Sequence, residues 1–183
     1  VTLIEAPISG GFTKGALDHA RTLGPLRRVI STSDSWPHIA GLREAVAQGV
    51  PLTLLDRNVP LVERLLAAPH ISAPDSLARK PVRPRITRIA QAATLGSGDA
   101  AMRLIPFHTA TGERQMAVYW PKHRLLYTSD LMSVQPSGVW LPQYRDEVAE
   151  LIARERLDVE TVFGMHYAPI SWDKVKALPG IVP

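Results

Sequence analysis

The sequence predicts an α/β fold, and three observations predict it. Short β-branched and apolar runs alternate with helically spaced apolar residues over the first third of the chain. A capping residue or a glycine bounds each helical stretch, and the middle of the chain then changes to short strands separated by turns. Strand, helix, strand, helix, strand implies a parallel sheet with right-handed crossovers. With 183 residues, 45% of them hydrophobic, the chain is long enough for one good core, so a single domain over residues 1–183 is expected.

The elements are expected in this order. Residues 1–5 form a first strand. Residues 13–23 follow as a helix, with Ala16, Leu17, Ala20 and Leu23 at helical spacing, Thr13 able to cap it and Gly24 to end it. Residues 28–31 are β-branched and apolar. Residues 38–48 carry Ile39, Leu42 and Val46 on one helical face and stop at Gly49, and residues 51–55 read as a third strand. A short helix at 59–67 leads into a loop punctuated by Pro69, Pro74, Pro81 and Pro84. Strands at 86–89, 102–106, 115–120 and 124–128 are expected to make mostly antiparallel sheet, with His123 in the turn before the last of them. Residues 141–156 place Tyr144, Val148, Leu151 and Ile152 on one face of a surface helix, with Pro142 near its start, and 161–164 is a final short strand. The tryptophans read mostly as core anchors, with Trp36 able to line a pocket.

Composition excludes several classes of function. The chain has no cysteine, so any metal must be held by His, Asp or Glu and no disulfide framework exists. Its apolar runs are too short for a membrane span, and no charged, then apolar, then small-residue segment opens the chain, so a soluble protein without an intact signal peptide is expected, in a compartment left open. Net charge is +4, with Arg79, Lys80, Arg83, Arg85 and Arg88 close together. Prolines punctuate that stretch and no aromatic residue interleaves for base stacking, so it reads as a solvated connector and nucleic acid is a minor hypothesis.

In open α/β sheets ligands gather where strands end and helices begin. Three polar clusters fall on such ends: Ser33-Asp34-Ser35-Trp36-Pro37-His38, Thr128-Ser129-Asp130 and Gly164-Met165-His166. Two imidazoles and a carboxylate at strand termini are the donor types for a borderline cation such as zinc, with a fourth position left for water.

These residues carry a resemblance. The run from Thr32 to Gly41 resembles the T-H-x-H-x-D-H signature of the metallo-β-lactamase superfamily: Thr32 matches the threonine, Ser33 and Ser35 stand for the first two histidines and Pro37 for the aspartate, while His38 keeps the last histidine and Ala40-Gly41 follow. Glu5-Ala6-Pro7, Gly41-Leu42-Arg43, Ala47-Gln48-Gly49 and Pro74-Asp75-Ser76-Leu77-Ala78 are similar to the flanks of large hydrolase-like members, and the resemblance extends over nearly the whole chain. Residues 125–130 look like the strand that ends in the metal-bridging aspartate, and Gly164-Met165-His166 like the terminal histidine motif, so Asp130 and His166 inherit those roles by position. The family's remaining histidine sits eight residues before the tyrosine of a V-Y-x-P strand; counted back from Tyr119 that position is Thr111, and His108 lies three residues too early.

The resemblance implies an αββα sandwich lacking much of its N-terminal half. It also implies that one metal position, now Ser33, Ser35 and Thr111, is lost. The other retains His38, Asp130 and His166 as ligands of a single zinc ion, having lost its aspartate to Pro37. Three protein ligands and a water suffice in outline for hydrolysis of an ester-like bond, carboxylic, phosphoric or lactam, in a small-molecule substrate. Asp34 is the nearest carboxylate and the candidate base, although Asp34 and Ser35 are also good N-cap residues before Pro37. Ser33 and Ser35 as nucleophiles lack a paired base. The competing expectation is a catalytically inactive relative that serves as a binding or assembly module, in which the three residues only hydrogen-bond within the core. The shortened first half implies an uncovered apolar face, and hence a homo-oligomer.

Overall fold

A computed structural model describes residues 1–182. Their packing separates into two compact units, Val1–Ala90 and the residues that follow.

The first unit is a four-stranded, wholly parallel sheet in the order β1-β2-β3-β4. Strand β1 (Thr2–Ile4), helix α1 (Gly10–Thr22), β2 (Arg28–Ser31), α2 (Trp36–Ile39), α3 (Leu42–Ala47), β3 (Leu52–Leu55), α4 (Val59–Ala67), α5 (Ser76–Arg79) and β4 (Ile86–Ile89) follow one another along the chain. β3 is buried along its whole length, as a continuous apolar run in a parallel sheet should be. Val29, Leu52 and Leu54 meet Leu17, Leu42, Val46, Val59 and Val62 of the helices in one apolar core.

Local details depart from the expected boundaries for identifiable reasons. The first helix begins at Gly10 because Ser9, not Thr13, caps it by accepting from the Phe12 N–H at 3.2 Å. Thr13 is instead buried in the first turn and donates to the Pro7 carbonyl. The expected 38–48 helix is two helices, broken at Ala40 and Gly41. A Cβ on Gly41 would lie 1.8 Å from Thr13 Oγ1, so α1 approaches the chain closely at the break. β4 does not belong to the antiparallel region: it pairs in parallel with β3, Leu52 opposite Ile86.

The second unit contains β5 (Ala93–Leu95), β6 (Met102–Pro106), β7 (Met116–Trp120), β8 (Leu125–Tyr127), β9 (Ser133–Gln135), β10 (Gly138–Trp140), α6 (Gln143–Arg154), β11 (Thr161–Gly164), β12 (Tyr167–Ser171), α7 (Trp172–Ala177) and β13 (Gly180–Ile181). Six of the strands form a sheet in the order β12-β11-β8-β7-β6-β5, antiparallel except for the β8–β11 pair. β9, β10 and β13 make a small second sheet. His123 ends a single 3-10 turn between β7 and β8, as its place in the sequence predicts. The core joins Ile105, Leu126 and Val162 of the sheet to Val148, Leu151, Trp172 and Val175 of the helices. Arg154 locks α6 to β6 through the carbonyls of Phe107 and Pro106. Of the four tryptophans only Trp172 is a core anchor, whereas Trp36 is 62% exposed and Trp120 stacks on Phe163. Among the described residues no helix is long and apolar enough to cross a membrane.

The first unit is also held by a polar clasp. Arg43, almost wholly buried, grips the Asp75 carboxylate with two nitrogens and donates to the Leu65 and Leu66 carbonyls at 2.8 Å. Asp75 in turn caps α5 through the Ala78 N–H. Its pKa is held well below the usual carboxylate range, first by the hydrogen bond from Arg43 and then, against a desolvation penalty, by the Ala78 N–H and the guanidinium charge. The folded-state pKa lies below the unfolded one, so this contribution is complete above the ordinary Asp value, ~4, and is lost as pH falls below it. Asp75→Asn is expected to cost about 3 kcal/mol in urea unfolding at neutral pH, with the difference from wild type shrinking as pH is lowered from ~5 to ~2. A difference independent of pH over that interval would show that the carboxylate charge is not what holds the clasp.

Candidate active site

Each unit carries a candidate cluster, and both clusters are built in the same way, from the C-terminal ends of adjacent parallel strands. β1 and β2 run side by side with Ile4 opposite Ile30, so the next residues, Glu5 and then Thr32, emerge together, and the Glu5 N–H donates to the Ile30 carbonyl at 2.7 Å. Glu5 is buried. Its carboxylate accepts from the Thr32 N–H at 3.2 Å and from the Thr32 hydroxyl, and its other oxygen lies 3.3 Å from His38 Nδ1. His38 is itself buried, in α2, and its carbonyl accepts from the Ala6 N–H. The Glu5 carboxylate thus stands within ion-pair distance of a buried imidazole.

The hydroxyls at the positions where the resemblance expects histidines make local bonds. Ser33 Oγ accepts from the Ser35 N–H at 3.1 Å, and Ser35 occupies the N-cap position of α2 without making a side-chain cap bond. Thr111 donates through both its N–H and its hydroxyl to the two oxygens of Glu147, at 3.2 and 2.7 Å. Asp34 is half-buried in the loop between β2 and α2. His108 is exposed, in a left-handed conformation, just beyond the buried Phe107.

In the second unit β8 and β11 are parallel neighbours with Tyr127 opposite Phe163. The ladder runs on past both strands: the Thr128 N–H donates to the Phe163 carbonyl and the Met165 N–H to the Ser129 carbonyl. Ser129 turns the chain with φ 58°. Gly164 is needed because a Cβ there would lie 2.6 Å from the Tyr167 ring and 3.0 Å from Thr128 Oγ1. The outcome is direct contact between His166 Nε2 and Asp130 Oδ1. Beneath it the Tyr167 hydroxyl bonds Thr128 Oγ1 at 2.6 Å. Burial pushes the Tyr167 pKa up, against the Thr128 bond, so the phenol stays neutral.

Asp130 and His166 stand at one wall of a cleft of ≈ 330 Å³ completed by Ser133, Gln135, Trp140 and Tyr144, a volume suited to a small molecule. An imidazole nitrogen and a carboxylate oxygen at one point are the donor types of a zinc-class ion, but two donors are one fewer than a catalytic ion takes from protein. Among the described residues no group of three or more His, Cys, Asp or Glu is gathered that holds a metal ion.

The order of parallel strands, the motif loop after β2 and the paired carboxylate and imidazole after β8 and β11 bear comparison with known folds. No protein-family model matches the chain, and no curated protein matches its sequence. Solved structures do match it. DIM-1 metallo-β-lactamase superposes with a TM-score of 0.70 at 15% identity, over 96% of this chain and 78% of its own. The metallo-β-lactamase from Pontibacter korlensis gives 0.68 at 15%, over 94% and 78%, and that from Erythrobacter litoralis 0.64 at 17%, over 97% and 80%. The chain has the metallo-β-lactamase fold. Within this metallo-β-lactamase fold the described chain spans about four-fifths or less of the length of those three enzymes.

Glu5 is the residue that sequence reasoning passed over, although it lies in the Glu5-Ala6-Pro7 flank. The available signal was a carboxylate at the C-terminal end of a parallel strand, the same signal that singled out Asp130. Trp140 and Tyr144 were also missed as cleft residues, one assigned to the core and the other to a helix face. Glu5→Ala leaves a buried N–H and hydroxyl without their acceptor and removes the carboxylate beside the buried His38 ring, and is expected to cost about 4 kcal/mol, against about 2 kcal/mol for Thr32→Val. Equilibrium unfolding of the two variants measures this; a smaller loss for Glu5→Ala than for Thr32→Val removes the carboxylate from this role.

Proposed function

We propose that this chain is a hydrolase of an ester-like bond, carboxylic, phosphoric or lactam, in a small-molecule substrate, working with a single zinc ion held by His38, Asp130 and His166. The observation that carries the reading is the contact between Asp130 and His166 at the wall of a small-molecule-sized cleft. The metallo-β-lactamase fold supports it, since the similar solved structures are metallo-β-lactamases.

The chemistry such an ion supplies when bound is Lewis acidity, polarising a carbonyl or phosphoryl oxygen and acidifying water. The chain's own residues do the rest. Glu5 keeps the His38 ring in one orientation. Trp140 and Tyr144 offer aromatic walls to a substrate, while Ser133 and Gln135 offer hydrogen-bonding groups in the same cleft. Asp34, in the loop after β2, takes the proton as general base. The same reading includes a homo-oligomer: Ile8, Phe12 and Trp36 are each more than half exposed, and the Ile8 N–H bonds the Pro37 carbonyl, which brings two of them close together.

A second reading, a catalytically inactive binding or assembly module, is favoured by the hydroxyls at Ser33 and Thr111, which are committed to structural hydrogen bonds. Metal content per chain, together with a panel of phosphate, sulfate, carboxylate and lactam esters assayed with and without added Zn²⁺, separates the two. About one zinc per chain and chelator-sensitive hydrolysis are expected. His38→Ala and His166→Ala should each lower activity at least ~100-fold while leaving the far-UV circular dichroism unchanged. No bound ion and no hydrolysis on any ester of the panel establish the second reading instead. Light scattering reads the oligomer, and a monomer at all concentrations overturns that part.

A further inference from the structure

The positive charge of this protein is concentrated in one unit. Residues 1–90 contain twelve Lys and Arg against seven Asp and Glu, so the excess over the whole chain, +4, resides there. Some of these cations are neutralised: Arg43 is paired with Asp75, and Arg88 with Asp56 and Glu63. Others converge at the end of the sheet where its strands begin.

Parallel pairing aligns those beginnings. Arg28 lies opposite Thr2, Val29 opposite Leu52 and Leu52 opposite Ile86, so the residues just ahead of β2, β3 and β4 share one edge of the unit. There Arg27, Arg85 and, from the last turn of α1, Arg21 line an open groove of ≈ 720 Å³ with Gln48, Leu26 and Pro51. No aspartate or glutamate is among its lining residues. The arginines are braced mainly by neutral acceptors: Arg85 donates to the Gly49 carbonyl and Arg21 to Gln48 Oε1, both at 2.6 Å, with Asp18 behind Arg21 at 3.2 Å. Neutral bracing orients a guanidinium without cancelling its charge. The α1 carbonyls of Ala20 and Arg21 are already taken by the N–H groups of Leu23 and Gly24. Arg85, which the sequence alone assigns to a solvated connector, is thus part of a concave surface whose own carbonyl, accepting from the Leu52 N–H, ties it to the sheet.

Three guanidiniums around one groove repel each other, and an anion between them relieves that repulsion while accepting their paired N–H groups. The planar fork of arginine matches phosphate oxygens, and the groove exceeds the size of a single phosphate. We propose that this groove binds a small anion carrying two linked phosphates, of the diphosphate class. It lies at the strand beginnings of the first unit and uses none of the residues assigned to hydrolysis.

Titration calorimetry of the whole chain with inorganic pyrophosphate tests this. One site per chain is expected, weakening as salt is raised. Arg27→Ala and Arg85→Ala should each raise Kd roughly tenfold or more, and Arg27→Glu should abolish binding. Arg64→Ala, an exposed arginine on α4 with the same effect on net charge, should leave Kd within about twofold. Absence of saturable binding at low salt, or an equal loss in Arg64→Ala, overturns the proposal. Binding of a single- or double-stranded oligonucleotide that pyrophosphate does not displace overturns it in favour of a nucleic-acid surface.

Discussion

Parallel neighbours in a sheet must end on the same side, and the candidate cluster of each unit follows from that constraint. It applies twice. β1 and β2 deliver Glu5 beside Thr32 and His38, and β8 and β11 deliver Asp130 beside His166. The hydrogen-bond ladder, continuing beyond β8 and β11 through Thr128 and Met165, brings Asp130 and His166 together across a separation of 36 residues, with Gly164 giving the room that the approach requires. The same rule read from the other end of the first sheet gathers Arg27 and Arg85 around one groove. One topological fact therefore underlies an acidic and imidazole-rich set of strand ends and a cationic set of strand beginnings.

The polar residues of the two strand-end clusters are satisfied in different ways. Serine and threonine are smaller than histidine, and a buried hydroxyl without a partner is costly. The buried Ser33 avoids that cost by accepting from the Ser35 N–H, while Thr111, exposed, bonds Glu147. His38 is treated differently: it is buried against a carboxylate that also holds the motif threonine. A carboxylate beside a buried imidazole costs desolvation as well as giving orientation.

The polar clasp of Arg43 and Asp75 plays the corresponding part in stability. It joins α3, the end of α4 and the start of α5 through one guanidinium. The chain from the end of α4 to β4 carries four prolines, Pro69, Pro74, Pro81 and Pro84, and only the single turn of α5, so few regular hydrogen bonds hold it otherwise.

Much of this was readable in the sequence. Apolar runs and helical spacing determined the alternation through β3, because burial on both faces of a parallel strand demands a continuous apolar segment. The clusters ending in His38, Asp130 and His166 were legible because chemistry in such sheets collects at strand ends. Tertiary structure alone decided the rest. Thr13 reads as a cap, yet Ser9 caps the helix, since the close approach of α1 to Gly41 buries Thr13. β4 reads like its antiparallel successors, but pairing partners are a matter of long-range packing that periodicity does not encode. β5, β9, β10 and β13 are too short to register as periodic, and Pro169 interrupts the pattern of β12. Glu5 and Arg85 look like a flank and a linker until the strands are laid side by side. Sequence determines which faces must be buried and which residues can bear charge; only the order of strands decides which of those charges meet.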